Sequence, residues 1–152
     1  MSPLPSPVQT VLEELGPLSD DVSTVALHDD NAWVVTYADD TQVVLTWCEE
    51  PPRLQTLTQV AQLDQALTNE HMEALLTFNL LSSQSQGARM AWSPQERSLY
   101  ILRDLPEVQC DLTTLRDSLR SLLGTADYWR EALMDDLNNA PRENNLTTGA
   151  SQ

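Results

Sequence analysis

The chain has 152 residues, 41% apolar and 20% charged, with 23 Asp and Glu against 8 basic residues and a formal net charge of −15. That length suits one domain with one real core, and at a mean hydropathy of −0.33 no apolar run reaches the roughly 18–20 residues that span a bilayer. All the basic residues are Arg, and so acidic a chain is repelled by phosphate backbones and anionic membrane surfaces, while a basic or charge-mixed protein partner is attracted over long range.

The excess acid also serves plain solubility. The stretch Met1 to Pro7 carries no positive charge and no long apolar run, so no secretory signal peptide is expected, and a cytoplasmic location is the default. Cys48 and Cys110 are far apart, without a CxxC pattern, and read as reduced thiols.

Residues 1–6 read as a disordered tail, and residues 7–137 as the folded domain. Ser6 is a candidate N-cap, with Pro7 at the first helical position and Gln9 completing a capping box. Val8, Val11, Leu12 and Leu15 share one helical face, and Gly16-Pro17 ends the helix.

Val25 to His28 is a candidate short strand. Ala32 to Ala38 and Gln42 to Cys48 are stronger ones, rich in Val, Thr, Trp and Tyr. A loop of Asp39-Asp40-Thr41 would set Tyr37 opposite Val43, Val35 opposite Leu45 and Trp33 opposite Trp47, all on one face. Ala32, Val34, Thr36, Val44 and Thr46 then line the other, milder face. Glu49 to Pro52 is a turn, and Arg53 to Val60 alternates as a further strand.

Thr68 or Asn69 caps a second helix that runs to about Ser82. Its later part, Leu75 to Leu81, is apolar nearly all round, which calls for more than one partner: its own sheet and, as one option, a second subunit. Ala88–Trp92 and Ser98–Leu105 form a hairpin. Asp111 caps a third helix, whose Leu112, Leu115, Leu119, Leu122, Ala126, Trp129 and Leu133 make the clearest amphipathic stripe in the chain. Gly124 costs this helix something and suggests a close contact. The polar stretch 138–152 reads as a disordered tail.

The inventory for catalysis is thin. No glycine belongs to a nucleotide-cradling loop, His28 and His71 lie in different elements without a metal-ligand pattern, and no nucleophile motif is present. The acidic pairs Asp20-Asp21, Asp29-Asp30, Asp39-Asp40, Glu49-Glu50 and Asp135-Asp136 lack the alternation and mid-loop glycine of a calcium loop and read as solvated turns. No enzyme, cofactor or metal is expected.

The fold class is α+β: helix, three strands, helix, two strands, helix, with an antiparallel sheet flanked by helices. This order, with the small size and the acidity, resembles the class I type III secretion chaperones, the Tir chaperone family. The resemblance spans about residues 7–135. It rests on Leu75-Leu-Thr-Phe-Asn-Leu-Leu81, similar to the "LLxxNL" end of that family's second helix. It rests also on Gly87 to Leu102, like its last two strands, and on Leu112 to Leu133, which closes on Ala126-Asp-Tyr-Trp-Arg-Glu-Ala-Leu133 like the family's "AexWrxxL". The strand from Arg53 lacks the glycine often seen near its end.

The resemblance implies a bacterial cytoplasmic homodimer without enzymatic activity. It would hold the N-terminal segment of a secreted effector extended and soluble for export. It places Met72, Leu75, Leu76, Phe78, Asn79, Trp92 and Leu99 in the dimer core. Val8, Val11, Leu12 and Leu15, with Val34, Thr36, Val44 and Thr46, would form the effector grooves, and an edge strand would accept an effector strand. A regulatory protein of the same fold that binds a folded partner is the competing reading.

Overall fold

The computed structural model describes the backbone of residues 4–150 and the side chains of residues 4–135. Helix α1 (Ser6–Leu15) leads into strands β1 (Val22–Asp29), β2 (Ala32–Tyr37), β3 (Gln42–Glu49) and β4 (Pro52–Gln62). Helix α2 (Asn69–Leu80), strands β5 (Arg89–Ser93) and β6 (Ser98–Pro106), and helix α3 (Leu112–Ala150) follow. All pairings are antiparallel, in the order β1-β2-β3-β4-β6-β5. The candidate short strand at Val25 is thus a full strand, and four strands, not three, precede α2.

Each strand alternates, and one face of the sheet carries Val35, Tyr37, Val43, Leu45, Trp47, Leu54, Ile101 and Leu105, all buried. The stripe of α3 closes this face. Leu115, Leu119, Leu122, Ala126 and Leu133 are buried, with Leu112 and Trp129 packed beside them. Asp111 caps α3, its Oδ1 accepting from the Thr114 amide at 2.8 Å. Arg116 and Arg120 tie α3 to the α1–β1 connection, through the Leu18 carbonyl at 2.9 Å and the Asp21 carboxylate at 3.3 Å.

The β2–β3 hairpin keeps the expected face but not the expected register. Trp33 faces Leu45 and Val35 faces Val43, a shift of two residues that leaves side-chain parity intact. The turn is Ala38-Asp39-Asp40, with Asp40 at φ 70°, the left-handed residue that commonly ends a three-residue hairpin loop. The Tyr37 amide donates to the Thr41 carbonyl at 2.8 Å, and the Asp39 carboxylate accepts from the Thr41 amide at 3.1 Å.

The N-terminus departs further. Pro5, not Ser6, is the cap residue of α1, and no side chain caps it; the amides of Val8 and Gln9 share the Pro5 carbonyl instead. The Gln9 side chain donates to Glu13, so the expected capping box is absent. Leu4, placed in the expected tail, is buried in the core. Residues 1–3 and 151–152 lie outside the described residues, as do the side chains from 136 onward. The α3 backbone is helical through Ala150, across most of the stretch read as a second tail. Gly124 makes no close contact either: a Cβ built there meets nothing within 4 Å.

Candidate functional site

Helix α2 begins as its sequence dictates. Thr68 is its cap, with Oγ1 accepting from the His71 amide at 3.1 Å and the His71 ring bonded back to the Thr68 amide. The helix is pinned at its far end by Asn79, whose side chain both donates to and accepts from the Met90 backbone on β5. Phe78 sets its ring edge-on to Trp129 of α3 at 5.7 Å.

These attachments sort the residues expected at a dimer core. Leu99 and Leu75 are enclosed by the chain's own core, Phe78 is engaged with α3, and Asn79 is occupied by β5. Met72 and Leu76 stand out into solvent, 45% and 69% exposed. Leu80 and Leu81, which the sequence reading left out, are exposed beside them. Their place in the apolar run Leu75–Leu81 was the available signal. Between α2 and β5 lies an apolar pocket of about 220 Å³, lined by Leu67, Met72, Leu76, Met90 and Trp92 with Leu99 among its walls.

The residues expected to bind an effector divide in the same way. Val8, Leu12 and Leu15 are fully buried and Val11 partly so; the face of α1 is spent on α3 and β1. A helix of ten residues is marginal alone and holds its shape by burying that stripe, so these three side chains are core and not an open groove. A cleft does remain beside them, about 440 Å³, between α1 and the edge strand β1, with Leu27 and Trp33 on its wall.

The four strand residues are placed differently. Val34, Thr36, Val44 and Thr46 are half-buried on the sheet face away from the core, and Val34 and Val44 do not belong to the core cluster. Cross-strand pairing continues their row: Ala26 faces Val34, Val34 faces Val44, Val44 faces Leu57, and Leu57 faces Leu102. Leu57 and Leu102 are half-buried too and outside that cluster. At the β5 end of the row stands Arg89, paired with Asp104 at 3.4 Å, which also holds Arg53.

Beneath the sheet, Arg103 was singled out by no sequence motif. It is 3% exposed, and its guanidinium donates to the carbonyls of Ser118 on α3 and Ser85 in the short helix Ser82–Ser85 at 3.0 and 3.1 Å. Burial lowers its pKa, yet an arginine stays charged in proteins. Burial likewise pushes the Cys110 thiol up to about 11. Desolvation and the nearby Asp21 carboxylate push the Tyr37 hydroxyl up to about 12. Among the described residues no group of His, Cys, Asp and Glu is placed to hold a metal ion, and no helix is long and apolar enough to cross a membrane. The site is a pair of apolar surfaces.

The model of the Tir chaperone protein (CesT) family matches residues 11–130. No curated protein matches the chain by sequence. Among solved structures, the chain is similar to one described as the ExsC–ExsE complex, at TM-score 0.71 and 19% identity, covering 86% of this chain and 96% of that one. It is also similar to one described as the HopA1–SchA chaperone–effector complex, at TM-score 0.65 and 15% identity, covering 81% and 92%. These two likenesses confirm the α+β fold. With four-fifths of its length matched by the family model, the chain belongs to the Tir chaperone (CesT) family of type III secretion chaperones.

Proposed function

We propose that this protein is a homodimeric chaperone of the bacterial cytoplasm that binds the N-terminal segment of a secreted effector, keeps it extended and soluble, and hands it to the export machine. The observation that carries this is the pairing of two separate apolar surfaces on one family fold. The ridge of Met72, Leu76, Leu80 and Leu81, with the pocket beside Trp92, is the proposed contact between copies. A two-fold interface buries the same patch twice, which accounts for a helix too apolar for one neighbour.

The sheet face of Val34, Thr36, Val44 and Thr46 and the cleft between α1 and β1 are the proposed effector surfaces. Strand β1 is at the sheet edge, where an extended segment can add a strand. Val11 is the one residue of the α1 stripe left partly open for such a contact.

The test is a tagged pull-down from the native cell, with the bound protein identified and its protected region mapped by limited proteolysis. A protected stretch near the start of a larger secreted protein, in a complex with two copies of this chain, is the expected result. A compact folded partner would overturn it in favour of a regulatory protein.

A further inference from the structure

We propose that the pocket between helix α3 and the β2–β3 turn receives a basic side chain of the protein partner, its methylenes against Gly124 and its charged end at the Tyr37 hydroxyl and Asp39. The source of that side chain rests on the chaperone reading; the pocket does not.

The pocket measures about 380 Å³, within the roughly 300–1,000 Å³ of small-ligand sites. Its apolar wall is built from Ala38, Leu123 and Gly124. Gly124 lies in the interior of α3, where glycine is unfavourable, and a Cβ built on it meets nothing within 4 Å. The helix thus leaves a slot open where any other residue would begin to fill it. Lysine and arginine lay their methylenes along such apolar surface and keep the charged end at a polar rim.

Tyr37 supplies the polar end. The residue is 6% exposed, belongs to the core and lines the pocket. Among the described residues its hydroxyl has no hydrogen-bond partner; what acts on it is burial, the Asp21 carboxylate and the Arg120 guanidinium. Both of those groups line the same pocket, so the hydroxyl end of the ring points there. Nor is the hydroxyl sealed in, for the buried and unpartnered side-chain atoms among the described residues belong to Ser19, Arg103 and Asp104. A phenol nine-tenths buried, unpaired and open to a pocket has a hydrogen bond left for what enters.

The sign of the ligand follows from the charges that face it. Asp21, Asp39 and Asp127 line the pocket with Arg120, and Arg130 stands 2.6 Å from Asp127 and also acts on Asp39. Three carboxylates against two guanidiniums leave one negative charge. The Arg120–Asp21 bridge is half-exposed at 3.3 Å, an attachment worth little. Hydrogen bonds from the Thr41 side chain and amide hold the Asp39 carboxyl below the usual range, so it stays ionised. An anion here would meet three carboxylates. An ammonium or guanidinium donates to both Asp39 and the Tyr37 oxygen and balances the charge. The α1–β1 connection borders this pocket through Asp21 and the cleft proposed for the effector through Gly16 and Pro17. A partner segment in that cleft has the pocket as its neighbour.

The experiment titrates the full chain with two blocked amino acids of equal stem, N-acetyl-lysine methylamide and N-acetyl-norleucine methylamide, following backbone amides by NMR. The lysine probe is expected to move the amides of Tyr37, Thr41 and Gly124, and to bind at least about tenfold more tightly than the norleucine probe. Tyr37→Phe removes only the hydroxyl, and Gly124→Leu puts a good helix former in the slot. Each is expected to weaken the lysine probe at least about fivefold without lowering the melting temperature. Gly124→Leu is also expected to weaken the purified partner identified by the pull-down at least about tenfold.

Equal binding of the two probes overturns the proposal, since the slot is then only apolar. So does a lysine probe that moves amides elsewhere, or one indifferent to both substitutions, because diffuse acidity then explains it. A partner held with undiminished affinity by the Gly124→Leu chain removes the partner as the source of the side chain and leaves the chaperone reading standing. Lysine-probe binding at the pocket beside a pull-down without an extended partner fails the chaperone reading and upholds the pocket.

Discussion

Asn79 stands in for a neighbouring strand at Met90. Its Oδ1 accepts from the Met90 amide at 2.7 Å and its Nδ2 donates to the Met90 carbonyl at 3.1 Å, satisfying both backbone groups on the outer side of edge strand β5. An edge strand is a template for unwanted pairing unless something covers it. Here the cover is a side chain of α2, so the helix and the hairpin move as one piece. Asn79→Ala is expected to cost about 1–3 kcal/mol, since it strands a backbone donor and acceptor. Urea denaturation followed by circular dichroism measures it, and a midpoint equal to the parent's would show that the edge needs no cover.

Leu75 and Leu76 are neighbours in sequence with opposite fates. Leu75 is buried and Leu76 is 69% exposed. Leu75→Asp is expected to destabilise the fold by about 3 kcal/mol or more through an unpaired buried charge. Leu76→Asp is expected to leave the fold intact and yield monomer. Sedimentation velocity beside thermal melts separates the two, and a dimeric Leu76→Asp chain would take that face of α2 out of the interface.

Gly124 sits inside α3 with open space where a Cβ would go and a φ that needs no glycine. Gly124→Ala is therefore expected to raise stability by about 0.5–1 kcal/mol. A loss of stability would mean that the α3 backbone is approached there in the assembled protein.

Tyr37 gives a pH signature. Its hydroxyl is held up to about 12, against 10.0 for the free group. Between those values the unfolded chain loses the phenol proton while the folded chain keeps it. The native state then binds more protons, and stability falls as pH rises. Tyr37→Phe is expected to flatten that part of the fall. The Cys110 thiol, held up to about 11, adds a decline of the same sign from about pH 9, so the comparison is best made in a Cys110→Ala background. Equal alkaline slopes with and without Tyr37 would contradict the assignment.

Arg103 spans β6, α3 and the turn after α2, its charge held by the Ser118 and Ser85 carbonyls. Arg103→Ala is expected to cost about 3–5 kcal/mol, because the Ser85 and Ser118 carbonyls lose their donor in the interior. Arg103→Lys should recover only part, since an ammonium cannot reach both with a planar fork. Full recovery would reduce the role of Arg103 to charge alone.

Periodicity revealed most of the scaffold because burial follows periodicity. The α3 stripe, the parity of the β2–β3 hairpin and the Thr68 start of α2 all follow from side chains that must face inward. What stayed hidden depends on backbone geometry or on distant pairing. Asp40 takes a left-handed conformation that moves the three-residue turn back by one residue and shifts the pairing by two. Arg103 finds its acceptors only after β6 has met α3. The α1 stripe looked like a candidate groove because a helix face destined for its own core and one destined for a partner have the same spacing. The row through Leu57 and Leu102 exists only once β6, far along the chain, has paired with β4.

That pairing carries a kinetic consequence. Arg53 faces Pro106 and Gln62 faces Ser98, so β4 and β6 close over the whole α2–β5 segment. The meander β1–β4 needs only short turns, whereas β4–β6 must first give up the entropy of a much longer loop. Folding is therefore expected to complete strands β1–β4 first and to seat α2 last. In a newly made chain the row from Val34 to Val44 is formed before Leu102 extends it.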